Sequence, residues 1–219
     1  MTKDEKQLKK EQNLTEERHR IYEMTEYERQ YQQVEWIAGI DEVGRGPIAG
    51  PVVAAAVILP KDCQILYIND SKRLSKKKRE LICHEIEEKA IAIGLGLVSS
   101  TRIDEINILQ ATYEAMRLAV ENLSIVPGLL LVDAVTIPGV KIEQVPIIKG
   151  DTKSVSIAAA SIVAKVTRDR IMAEYHERWP GYDFAKNSGY GTKSHCEALQ
   201  KLGITPIHRQ TFIKGILKA

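Results

Sequence analysis

Two adjacent acids, Asp41 and Glu42, end an apolar run and are followed at once by Gly44, Arg45, Gly46 and Pro47. An unpaired carboxylate at the end of a buried segment is costly, so it implies a cation, a metal ion or protonation. Two glycines around an arginine let the backbone approach a ligand closely and take positive φ. Acids for a metal, beside exposed amides and a guanidinium, suit a phosphate-bearing substrate. Taken alone, the same string reads as a hairpin turn closed by a strand-end salt bridge. Further acids decide between the two. Asp133 and Asp151 also follow apolar or strand-like segments, LLLVDA and IIKGD. Strand ends along one edge of an open α/β sheet are where such proteins build sites. Three or four carboxylates gathered there repel one another unless divalent cations lie between them, and oxygen ligands select magnesium or manganese. Two such ions suit phosphodiester cleavage by an activated water. One geometric demand follows. Asp41 and Glu42 point to opposite faces of a regular strand, so a bend at the following glycines is expected.

Positioning these acids takes strands with helices between them, and the pattern contains both. Residues 36–41 and 52–59 read as an antiparallel pair joined by the glycine-rich turn. Ser75 caps a charged helix to about residue 90, and 91–98 (IAIGLGLV) is a third strand. Apolar positions at Ile103, Ile106, Leu109, Tyr113, Met116 and Val120 predict one long helix over 103–123. The run LLLVD at 129–133 reads as a central strand buried on both faces, and 145–149 adds another. Ser154 caps an alanine-rich helix to about 178, and a last helix runs from Thr192 or Lys193 to 202, with Gly203 as its stop. Internal repeats are absent. The order predicts an α/β or α+β domain with a mixed sheet flanked by helices.

Residues 1–33 differ from the rest: seven Lys/Arg, eight Asp/Glu, no Gly and no Pro. Ile21, Met24, Tyr27, Tyr31 and Val34 form one helical stripe, so this stretch is read as a surface helix or a partly disordered arm. The remainder holds 24 basic against 21 acidic residues, which gives no support to a basic arm gripping phosphates. With 219 residues, 44% hydrophobic and 27% charged, the chain is long enough for one cored domain plus this extension. No run approaches the roughly 20 apolar residues of a membrane span, and the start is polar. Cys63, Cys83 and Cys196 are odd in number and far apart, so a reducing cytoplasm is expected.

Six motifs in order carry a resemblance. They are GIDEVGRGPIAGPVVAAAVIL at 39–59, NDSKRLS at 69–75, LLVDAV at 130–135, KGDTKSVSIAAASIVAKVTRDR at 149–170, SGYGTKSH at 188–195 and TPIHRQTF at 205–212. Over 36–213 the chain resembles type 2 ribonuclease H (ribonuclease HII). The related ribonuclease HIII carries other residues where this chain has Gly-Arg-Gly-Pro. The resemblance implies a ribonuclease H-like fold, with a small C-terminal helical part after the sheet. It implies endonucleolytic hydrolysis of RNA in RNA–DNA hybrids and incision 5′ of single ribonucleotides in duplex DNA, leaving 3′-hydroxyl and 5′-phosphate ends. Asp41, Glu42 and Asp133 match the family's metal-binding carboxylates, served by Mn2+ or Mg2+, and Asp151 matches its fourth active-site acid. Gly44, Arg45 and Gly46 match the loop that senses the 2′-hydroxyl, the one group that separates RNA from DNA locally. Tyr190 matches the tyrosine that packs on the neighbouring deoxyribose, and Lys72 matches a phosphate contact. A monomer acting on nucleic acid is expected, with 34–219 as the catalytic domain.

Other charged positions read more plainly. Lys76, Lys77, Lys78 and Arg79 make a solvated helix face, with backbone steering secondary. Lys165 and Arg168 neutralise the acids or bind phosphate, and Asp169 partners a base on its helix. His195 and His208 serve either a structural hydrogen bond or catalysis. The segment QTFIKGIL at 210–217 faintly resembles a sliding-clamp-binding peptide but lacks its aromatic pair. Two rivals remain: a catalytically silent duplex-binding module, disfavoured by retention of all four acids, and another nuclease or phosphoryl transferase, disfavoured by the Gly44–Gly46 and Tyr190 matches.

Overall fold

Seven consecutive buried residues, Val52–Ile58, make the second strand, and every one of them packs on something. The computed structural model describes residues 2–216. Its sheet has five strands: β1 (Ile37–Val43), β2 (Val52–Ile58), β3 (Ala92–Val98), β4 (Leu129–Asp133) and β5 (Glu143–Ile147), in the order β3-β2-β1-β4-β5. β1–β2 and β2–β3 are antiparallel, while β1–β4 and β4–β5 are parallel, so the sheet is mixed. The helices are α1 (Lys3–Met24), α2 (Glu26–Gln30), α3 (Lys76–Lys89), α4 (Ser100–Glu121), α5 (Val155–Arg178), α6 (Phe184–Asn187), α7 (Lys193–Leu202) and α8 (Gln210–Ile213).

Side-chain alternation on β2 divides the core in two. Val53, Ala55 and Val57 pack with α3, α5 and the end of α1, whereas Val52, Ala54, Ala56 and Ile58 pack with α4. Small residues bring the helices close. A Cβ on Gly39 would fall 2.0 Å from the Ser156 carbonyl carbon, so α5 lies directly on β1. Gly94 and Gly96 do the same for α4 on β3, where a Cβ would meet the carbonyl oxygens of Ala119 and Ala115.

Ser75 and Ser154 each accept a backbone N–H three residues on, as the expected caps require, and Thr192 does the same just before the last long helix. The long helix α4 differs from expectation: it begins at Ser100, and Asn107 interrupts it at φ 69°. The Asn107 side-chain oxygen accepts the N–H groups of Leu109 and Gln110, so it ends one helical segment and caps the next. The stripe of the N-terminal stretch also spans a break at Thr25. Ile21 and Met24 on α1 are buried against α3 and α5, while Tyr27, Tyr31 and Val34 pack beside Leu129, Leu131 and Ile157. Glu28 on α2 accepts from Ser154 Oγ at 2.6 Å and Ser156 N at 3.0 Å, a carboxylate on the N-terminus of α5. After α5 the chain builds a separate cluster in which Ile48, Met172, Tyr182, Phe184, Leu199, Ile207 and Ile213 are buried. No described helix is long and apolar enough to cross a membrane.

Candidate active site

Parallel pairing of β1 with β4 runs in register to Ile40 opposite Val132. The next residue on each strand is an acid, so Asp41 and Asp133 stand side by side just past the last β1–β4 pair, on strands spaced about 4.8 Å apart. Alternation puts both on the α5 face, since Ile40 and Val132 pack with α4. The chain does turn at the glycines, at Gly44 with φ 97°, but not between Asp41 and Glu42, since β1 stays paired with β2 through Glu42 and Val43. Pairing with β4 has already stopped at Glu42, and the charge of Asp133 bears on it across the open end. Arg45 Nη1 reaches Glu42 Oε1 at 3.3 Å.

Asp41 is 7% exposed. Burial, then the charges of Glu42 and Asp133, push its carboxyl well above the usual range, and the Ser161 hydroxyl and Glu42 N–H only partly oppose this. Burial also raises Glu42, against the pull of Arg45. Asp133 Oδ1 accepts the Gly150 N–H at 2.7 Å, which ties the end of β4 to the short turn Gly150–Thr152 that carries Asp151. Asp151 is raised by burial and by the charges of Asp70 and Asp133, while Lys72 pulls it down. Asp70 was not among the expected acids. Its signal was present in NDSKRLS, where it stands two residues before Lys72 and accepts that residue's N–H at 2.9 Å.

Among the described residues no Lys or Arg makes an ion pair with Asp41, Asp133 or Asp151. An oxygen-only, like-charged set, with Asp41 buried and Asp133 and Asp151 half-buried, has the donor chemistry of a hard divalent ion. Among the described residues no three His, Cys, Asp or Glu side chains converge on one point.

The glycine-rich loop and Tyr190 come together: a Cβ on Gly46 would stand 3.4 Å from the Tyr190 ring. Tyr190 is 48% exposed beside a buried wall. The loop is stitched to the C-terminal cluster by Ile48 and Ala49 N–H groups on Gly189 O, and by Gly50 N–H on Ile207 O. Arg168 departs from both expected roles. It neither neutralises the acids nor faces phosphate, but is buried and donates to the carbonyls of Pro51, Ala49 and Ser188. Lys165 instead pairs with Asp169, which also takes Arg79. Arg79 therefore leaves the solvated face formed by Lys76, Lys77 and Lys78: it is 9% exposed and bound to Ser71 O. His195 and His208 are a buried pair, Nε2 to Nε2 at 3.1 Å, with His195 Nδ1 on Tyr190 O at 2.8 Å.

The ribonuclease HII family model matches residues 38–215. The chain belongs to the ribonuclease HII family. A ribonuclease HII of Lachnoclostridium phytofermentans is 65% identical over 205 residues, covering 94% of this chain and 81% of that one. The crystal structure of ribonuclease H2 from Pyrococcus horikoshii is 29% identical, with a TM-score of 0.69, and covers 84% of this chain and 97% of that one. A ribonuclease HII from Archaeoglobus fulgidus, solved in a complex with PCNA, is 28% identical with a TM-score of 0.67 over 80% of this chain and 93% of that one. This protein is thus a ribonuclease H, an endonuclease that degrades the RNA of RNA–DNA hybrids. The family is divalent-metal dependent.

Proposed function

We propose that this chain incises duplex DNA on the 5′ side of a single embedded ribonucleotide, as well as cutting longer hybrids, with Asp41, Glu42, Asp133 and Asp151 as its catalytic acids. The observation that carries this reading is the in-register parallel pairing of β1 with β4 that stops one residue before Asp41 and Asp133, with the Gly44–Gly46 loop and Tyr190 side by side at that edge. Asp41, Glu42 and Asp133 would hold Mn2+ or Mg2+, with Asp151 as the further acid. When bound, such an ion offsets charge on the phosphate oxygens and makes water a better nucleophile. Gly44, Arg45 and Gly46 read the 2′-hydroxyl, Lys72 meets a backbone phosphate, and Tyr190 lies on the deoxyribose that follows. Together they recognise ribose and favour one that DNA follows, and the cut leaves 3′-hydroxyl and 5′-phosphate ends.

In this reading residues 34–219 are the catalytic domain, 1–33 an extension, and the working unit a monomer in the cytoplasm. The three cysteines, none in a disulfide, suit a reducing compartment. Clamp binding through 210–217 has less behind it. Ile213 is buried and Phe212 packs against the core, while Leu217 lies outside the described residues. The test is a labelled duplex with one ribonucleotide, incubated with Mn2+ or Mg2+. A single cut on its 5′ side, absent from the all-deoxy duplex, is expected; no cut, or a cut elsewhere, overturns the proposal.

A further inference from the structure

Arg209 is fully buried, yet among the described residues it makes no ion pair, and the Asp104 carboxylate acts on it only through its charge. Buried charges are ordinarily paired, and leaving one unpaired is expensive. Burial pushes this guanidinium down to about 9, helped by the nearby charge of Arg168, so it remains a cation at neutral pH. Its partners are backbone carbonyls. Nε and Nη2 reach Gly50 O at 3.0 and 2.9 Å, Nη1 reaches Arg45 O at 3.0 Å, and Nη2 reaches Gly44 O at 2.6 Å. From the other side, Arg168 fills the space where a Cβ on Gly44 would stand. Asp104 fixes the far end of the device by accepting the N–H groups of Gln210 and Thr211.

The consequence is geometric. In a trans peptide the N–H points opposite to the C=O. With the carbonyls of Gly44 and Arg45 drawn inward onto Arg209, the N–H groups of Arg45 and Gly46 point outward. Both residues are exposed, and neither N–H has a partner among the described residues. Successive outward amides form a nest for an electronegative oxygen.

We propose that Arg209 is a positioning residue for ribose recognition, holding the Arg45 and Gly46 amides toward the 2′-oxygen of the substrate. This rests on the reading of Gly44–Gly46 as the hydroxyl-sensing loop. Arginine is required because its planar fork spans three carbonyls at once, which the point charge of lysine does not.

The test compares wild type and Arg209→Lys for binding, by fluorescence anisotropy without metal at fixed salt, to duplexes with and without one ribonucleotide. The variant should lose roughly tenfold in preference for the ribonucleotide, the worth of about one hydrogen bond, while all-deoxy binding stays within about twofold. A folded Arg209→Lys that keeps the wild-type preference overturns the proposal and leaves the loop reading standing. A wild type that shows no preference removes the loop reading itself, and the proposal with it. Should Arg209→Lys fail to fold, 15N-labelled wild type decides. The Arg45 and Gly46 amide resonances should move downfield with the ribonucleotide duplex and not with the all-deoxy one; unmoved resonances overturn the proposal.

Discussion

At Asp41 burial and repulsion act in the same direction, and both disfavour the charged form. Asp41→Asn should abolish cleavage, because the amide keeps the shape but removes a negative ligand. It should also stabilise the metal-free protein at neutral pH. The sign follows from linkage: with the folded carboxyl raised above its unfolded value, the folded state binds more protons between the two, and stability falls as pH rises through that window. Removing the acid therefore gains most above the raised value and nothing below the ordinary carboxylate range. A rise of about 2–8 °C in Tm is expected, from scanning calorimetry with chelator present. Cleavage at the wild-type rate by folded Asp41→Asn would end the metal-ligand assignment.

Tyr190 makes a prediction of a different kind. If its ring lies on the deoxyribose, Tyr190→Ala should reduce kcat/KM at an isolated ribonucleotide by about tenfold to a hundredfold, as loss of a stacking contact does. Cutting within long hybrids, which offer no such neighbour, should fall less. Equal losses on both substrates would make Tyr190 structural or generally catalytic.

Elements bring these residues to one place by close packing, and glycine sets how close. Gly39 lies two residues before Asp41 on β1, and a Cβ there would collide with the α5 backbone at Ser156 and Ile157. Because the obstacle is main chain, Gly39→Ala should cost at least about 3 kcal/mol, beyond ordinary overpacking. Denaturant titration against wild type measures it; a loss under about 1 kcal/mol would mean that α5 slides freely.

The N-terminal stretch is the second element whose role the packing defines. Deleting residues 2–33 strips the burial of Ile21 and Met24, and removes the Glu28 carboxylate from α5 and the Glu17 and Arg20 contacts to the chain at Tyr67 and Ile68. The two apolar side chains alone are worth roughly 3–6 kcal/mol. Stability should fall clearly while site-specific cutting survives below the lowered Tm. A folded truncation with no activity would make the arm part of the site.

Across the whole molecule, one hydrogen-bond chain links the C-terminal cluster to the substrate face. Thr205 N–H donates to His208 Nδ1 at 2.9 Å, which leaves the His208 proton on Nε2. That Nε2–H faces His195 Nε2, so His195 carries its proton on Nδ1 and donates to Tyr190 O. Protonating either ring sets N–H against N–H. His208 is accordingly pushed down to about 4 by burial and by His195. A histidine lowered in the folded state contributes stability that is complete above its unfolded value near 6.5 and lost as pH falls toward 4. The loss should be at most about 3 kcal/mol, and His208→Gln should flatten that part of the Tm–pH profile. An unchanged slope in the variant would remove His208 as its source.

Local physics made much of this legible before folding is considered. A cap and its amide are three residues apart, so Ser75 and Ser154 could be read directly. The apolar run ending in Asp133 likewise carries its own boundary, because burial on both faces leaves no alternation to misread, whereas β1 runs two residues past Asp41 to Val43 because β2 goes on pairing with it. The sheet order was not legible, nor was the meeting of Asp70 with Asp151, nor the fate of three arginines. Arg79 and Arg168 resemble any base on a charged helix until the elements they pack against are known. Arg45 and Arg209 lie 164 residues apart, and the bond between them exists only because the C-terminal cluster folds back under the glycine-rich loop. Sequence determined which groups were present and which local element each sits on. Tertiary structure alone decided which carbonyl a buried charge would find, since that choice follows from desolvation in the packed protein and not from neighbours along the chain.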